Sequence, residues 1–167
     1  MKTIVIGVGN PILTDDGVGI HVAKQIKQHI SNPNIVVEEA LTGGMNLLDL
    51  ILGYDKAIII DSVKTYTGQD GEIHKYQLNE ISKIHSFNPH DVSLAEAITL
   101  ATKLGEEHIP NEIIIIGISM TKMQYEFGEY LSEKFTAAIP IAVKMVLDEI
   151  NNKKTISKKK IKDYINT

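Results

Sequence analysis

A chain of 167 residues is the usual length of one globular domain and can bury about two-thirds of the surface its unfolded form exposes. With 21 acidic against 17 basic residues its net charge is −4, which argues against a nucleic-acid-binding surface, and zero cysteines exclude a disulfide framework, a thiolate metal site and a cysteine nucleophile. Apolar runs only a few residues long argue against a membrane span, and a start that goes straight into a strand pattern, with no signal peptide, makes the cytoplasm the expected location.

In chain order, "TIVIGVG" is a buried-strand run, and "DDGVGIHVAKQIKQHI" follows with Val18, Val22, Ile26 and Ile30 four apart, the spacing of a helix face. "NIVVEEAL" is a second strand and "GGMNLLDLILG" a short helix stopped at Gly53. "KAIIIDSV" is a third strand, apolar up to Asp61, which is expected to end it. "GEIHKYQL" alternates beside turn residues and predicts an antiparallel or edge strand. "DVSLAEAITLATKLG" predicts a helix capped by Asp91 or Ser93 and closed by Gly105; "NEIIIIGIS" is a further buried strand. "FGEYLSEKFTAAIPIAVKMVLDEI" reads as one long helix with a kink or break at Pro140. This alternation predicts an α/β three-layer sandwich: a mostly parallel twisted sheet with one antiparallel or edge strand and helices on both faces. Residues 1–152 form a single domain on this pattern. Residues 153–167 form a lysine-rich tail with six lysines and one acid, expected to be a solvated helix extension or frayed end.

In such sheets ligands bind in the crevice at the carboxyl ends of the strands. Asp16 follows the first strand, Asp61 closes the third, and His90 precedes the helix leading to the next. Two carboxylates and an imidazole suit a divalent metal with open positions for water or substrate. Each residue also has an ordinary alternative: Asp16 at a helix N-terminus, Asp61 capping a turn, His90 in a loop. Spacing by itself does not choose between these. Asp15 is expected to face solvent at the helix start, with general base as the alternative. The opening "GVGNPILTDDGVG" does not complete a dinucleotide fingerprint, because Ile12 stands where the third glycine belongs and Asp15 and Asp16 would repel a pyrophosphate. No H-E-x-x-H or G-x-S-x-G motif is present, and Ser62 and Ser119 lack an identifiable partner arrangement.

Four separated motifs, "GVGNPILTDDGVG", "TGGMNLLDLI" (42–51), "IIIDSV" (58–63) and "NPHDVSLAEAI" (88–98), resemble those of the hydrogenase maturation endopeptidases over roughly residues 1–150. The resemblance implies an endopeptidase, of aspartyl type, that removes the C-terminal extension of a [NiFe] hydrogenase large-subunit precursor after nickel insertion. It carries the family's catalytic and metal-contacting positions onto Asp16, Asp61 and His90, with nickel supplied by the precursor. The precursor is the implied partner; neither nucleic acid nor membrane is expected. The nickel would either polarise the scissile carbonyl or act as a ruler that positions the peptide. Many relatives carry Asp-Gly-Gly before the threonine of the second-strand loop. Here Glu39-Ala40-Leu41 stands there, a departure expected to alter that loop's path and substrate recognition. Two alternatives stand beside this function: a nucleotide-dependent oxidoreductase of Rossmann-like fold and a non-catalytic nickel carrier.

Overall fold

The apolar runs become the inner strands of a five-stranded sheet in the computed structural model, which describes residues 1–41, 45–81, 89–122 and 126–152. The strands are β1 (Thr3–Val8), β2 (Ile35–Ala40), β3 (Lys56–Lys64), β4 (Ile73–Gln77) and β5 (Glu112–Met120), ordered β2-β1-β3-β5-β4. The first four in that order run parallel, and β4 lies antiparallel to β5 at the edge, as its alternating pattern predicts. The helices are α1 (Val18–His29), α2 (Met45–Ile51), α3 (Leu78–Ile81), α4 (Pro89–Lys103) and α5 (Glu133–Asn151).

Strand side chains alternate between two cores. Ile58 and Ile60 of β3 and Ile114, Ile116 and Ile118 of β5 face α1 and α5, meeting Val18, Val22 and Ile26 from one helix and Phe135, Ile139 and Val146 from the other. Ala57, Ile59, Ile113 and Ile115 face the opposite way, toward Leu47, Leu48 and Ile51 of α2 and Leu94 and Ile98 of α4. Each fully buried isoleucine contributes roughly 1.5–3 kcal/mol. With both faces covered, the inner strands need no polar alternation, which is why they read as unbroken apolar runs. Among the described residues no helix is long and apolar enough to cross a membrane.

Close backbone approach fixes where α1 begins. A Cβ on Gly7 would run into the carbonyl of Gly19, and one on Gly19 into the carbonyls of Val8 and Ile60. The two glycines therefore let the first turn of α1 rest directly on the backbones of β1 and β3. At the amino edge of the sheet a different device operates. Lys56, 1% exposed, donates from Nζ to the carbonyl of Glu149 (2.8 Å) and pairs with Glu112 (3.1 Å) and the Glu149 carboxylate (3.6 Å). Lys75 adds a bond to Glu149 at 2.6 Å. These contacts tie the last turn of α5 to the sheet.

Several expectations need correction. Asp61 does not end its strand: β3 continues to Lys64, because β5 keeps pairing with it as far as Met120. Helix α4 starts at Pro89, a residue suited to a first helical position, so Asp91 and Ser93 lie inside it and cannot be its N-cap. Helix α5 starts at Glu133, not Phe127, because Gly128 is drawn into an isolated bridge with Leu13. It also runs unbroken through Pro140. Pro140 and Thr136, whose carbonyl loses its partner there, are both exposed, so water can take up the bond the proline cannot supply. Residues 153–167, with their lysines, lie outside the described residues.

Candidate active site at the carboxyl edge of the sheet

The β1–β3 ladder stops at Gly7↔Ile60, so Asp61 is the first residue of β3 past its neighbour's last paired position. The chain leaves β1 toward β2 on one side while β3 lies on the other, making this the topological switch point where α/β sheets open a crevice. Gly9 turns the chain out of β1 at φ +144°, where a Cβ would strike the carbonyl of Asp16. Asn10 to Leu13 then form a turn closed by the Leu13 N–H on the Asn10 carbonyl (3.1 Å), followed by a 3-10 turn over Thr14–Gly17. That turn carries both acids of the motif.

Asp16 is returned toward the crevice. Its Oδ2 accepts the Asn10 N–H at 2.8 Å, and its Oδ1 accepts the Ser62 hydroxyl at 3.2 Å. The structure therefore seats Asp16 on the residue next to Asp61. Along β3, Ser62 shares the α1/α5 face with Ile60, while Asp61 shares the α2/α4 face with Ile59. Asp61 is 1% exposed and lies opposite Gly117 of β5. His90 occupies the first turn of α4, the helix covering that same face, and its side chain lies outside the described residues. Among the described residues no three His, Asp or Glu side chains are gathered as a metal cage.

Asp15 does not face solvent. It is 3% exposed, and its Oδ1 accepts the N–H of Ser132, the N-cap residue of α5, at 2.7 Å. The segment 126–132 lies alongside the site loop: the Thr14 N–H donates to the Gly128 carbonyl and the Gly128 N–H to the Ile12 carbonyl, both at 2.9 Å. Thr14 is held at φ +47°, rare for a β-branched residue, and its buried hydroxyl has no partner among the described residues. Tyr130 donates its hydroxyl to Glu126 at 2.8 Å; that bond, then loss of water and the charges of Glu126 and Asp15, push its pKa up.

The electrostatics are one-sided. Among the described residues Asp15 and Asp16 bond to backbone amides and a hydroxyl, and no lysine or histidine pairs with either. Such donors orient a carboxylate without cancelling its charge. The chemistry available is that of fixed anionic oxygens beside a crevice, suited to gripping a cation or a proton-bearing group. Sequence reasoning missed three parts of this arrangement. Ser62 reads as a serine without partners, yet it orients Asp16. Asn10 gave no signal for a carboxylate, and Ser132 gave none for Asp15, 117 residues away.

Residues 20–149 match the family model for hydrogenase maturation protease, a span that includes Asp61 and His90 and begins just after the Asp16 turn. The chain is 26% identical over 150 residues to the hydrogenase 2 maturation protease of Escherichia coli, covering 88% of this chain and 89% of that protein. It is 27% identical over 159 residues to the coenzyme F420 hydrogenase subunit delta of Methanothermobacter thermautotrophicus, covering 89% and 94% respectively. The solved hydrogenase maturating endopeptidase HybD from E. coli superposes with a TM-score of 0.78 at 25% identity, over 90% of this chain and 93% of that one. With the family model spanning most of the chain and the fold shared across nearly all of it, the protein belongs to the hydrogenase maturation proteases.

Proposed function

We propose that this chain removes the C-terminal extension of a [NiFe] hydrogenase large-subunit precursor once nickel is in place, reading that nickel through Asp16, Asp61 and His90. The observation that carries the proposal is the Asp16 carboxylate, fixed at the switch point by neutral donors and left with its charge uncompensated among the described residues. Asp61 stands one residue from the group that orients it, and α4 brings His90 to the same face of the sheet as Asp61. Nickel here is part of the substrate. Two carboxylates and an imidazole are harder donors than the thiolates that bind nickel in the precursor, so they add to its shell without extracting it. Their contribution is positional: with nickel gripped, the peptide beyond it lies at a fixed distance from the site, converting cleavage into an intramolecular event.

The test is incubation with nickel-loaded and nickel-free precursor, reading release of the extension by mass. Cleavage restricted to the loaded form is the expected result. Rapid cleavage of the nickel-free form by metal-stripped protein would refute nickel reading, and binding of loaded precursor without cleavage would identify a nickel carrier.

A further inference from the structure

We infer that Asp15 is a positioning residue for Asp16, clamping the site loop to the start of α5 through the Ser132 amide. The inference rests on the proposed part of Asp16 in cleavage. The two adjacent acids turn in opposite directions: Asp16 reaches back to Asn10 and Ser62, while Asp15 reaches across to Ser132. Ser132 makes no capping bond with its own hydroxyl, so the carboxylate of Asp15 lies where an anion is favoured, at the N-terminus of a 19-residue helix.

What the clamp holds is unfavourable in isolation. Thr14, immediately before Asp15, sits in the left-handed region with its hydroxyl buried and without a partner among the described residues. Such a conformation persists only where the surroundings over-determine it. Here they are the paired amides of Thr14 and Gly128 on one side and the Asp15–Ser132 bond on the other. Releasing Asp15 frees Thr14 to return to an ordinary conformation, which rotates the 3-10 turn and takes the Asp16 carboxylate away from Asn10 and Ser62.

The Asn10 amide reports on this without any chemistry, because its acceptor is Asp16 Oδ2. Three variants form the test. Asp15→Ala removes the clamp; Asp15→Asn removes the charge but keeps an oxygen able to accept from Ser132. Ser132→Pro removes only the donor, at a φ of −64° that proline already prefers. Asp15→Ala and Ser132→Pro are expected to speed hydrogen exchange at Asn10 about tenfold relative to an inner-strand amide such as that of Ile59. With nickel-loaded precursor both should lower kcat by about 100-fold with KM within about twofold, as expected when a reacting group is misplaced by about an ångström. Asp15→Asn should restore exchange and kcat to within about threefold of wild type, since the amide oxygen replaces the carboxylate as acceptor of the Ser132 N–H. An Asp15→Asn variant as inactive as Asp15→Ala, with Asn10 still protected, would overturn the clamp and assign a direct chemical part to the charge. Unchanged exchange and unchanged kcat in Asp15→Ala would overturn it equally. Should Asp15→Ala not fold, Ser132→Pro against Asp15→Asn decides the matter. Should wild-type protein leave the precursor uncut, the protease proposal fails while the exchange measurement still judges the clamp.

Discussion

The two ends of the sheet treat buried charge in opposite ways. At the amino edge Lys56 is surrounded by its own counter-charges, Glu112 and Glu149, and by the carbonyl at the end of α5. At the carboxyl edge Asp15 and Asp16 are oriented by amides and a hydroxyl, and among the described residues no cation answers them. A closed ion cluster has nothing left to offer a ligand and serves to hold α5 in place. Oriented carboxylates without a counter-ion are an incomplete arrangement that a partner's cation can complete. The contrast separates scaffold from proposed site on physical grounds.

Its strongest test is Lys56→Met, which leaves Glu112 without its cation and Glu149 with Lys75 alone. Stability should fall by about 3 kcal/mol, since breaking a buried pair from one side is far worse than replacing both partners. Calorimetry should show the lower midpoint, while cleavage by the remaining folded protein stays at wild-type level; lost activity in folded protein would mean that the amino edge reaches the site. Asp16→Asn should behave the other way round. Its amide can accept from Asn10 and donate to Ser62, so the thermal midpoint should hardly move, while cleavage of loaded precursor falls by about 100-fold. A large drop in stability instead would show that Asp16 is scaffold. Gly19→Ala probes the seam between the two regions, because its methyl group meets the carbonyls of Val8 and Ile60. Lifting α1 there should cost about 1–3 kcal/mol in a denaturation curve.

The smallest effect concerns Asp70, away from both edges' main clusters. Burial alone would raise its pKa, but the Thr121 N–H and hydroxyl, with Lys134 and Lys122 nearby, bring it below the ordinary value. A depressed carboxylate contributes stability above its unfolded-state pKa and loses it as pH falls through the folded value. Asp70→Asn should therefore flatten slightly the loss of stability on the acid side of pH 4, with no change at the alkaline side, as followed by urea midpoints across pH.

The order of elements was legible because it depends on local patterns. Runs such as "IIII" at 113–116 have no polar face to show, and "GEIHKYQL" alternates as an edge strand does. Asp16 and Asp61 could be singled out because the end of a strand is visible as the end of an apolar run. That run misled at Asp61 itself, since Ser62 and Val63 continue the ladder with β5. His90 carries no local signature beyond Pro89; its place ahead of the helix leading to the next strand singled it out, and the family resemblance then gave it a role. The burial of Asp15 was invisible for a different reason: its partner amide belongs to a segment that looks helical in sequence and lies before the helix in the fold. Long-range backbone donors leave no trace in composition or periodicity.

The anchoring of α5 by Lys56 also decides how the molecule can be attached to anything else. β1 begins and α5 ends at the amino edge, with the Lys2 amide held by Asp55 and the Glu149 carbonyl held by Lys56. The nine-residue strands β3 and β5 put the opposite rim about 30 Å away. A surface, affinity tag or fused protein joined close to residue 1 or residue 152 would thus sit behind the sheet, leaving the acidic crevice facing outward.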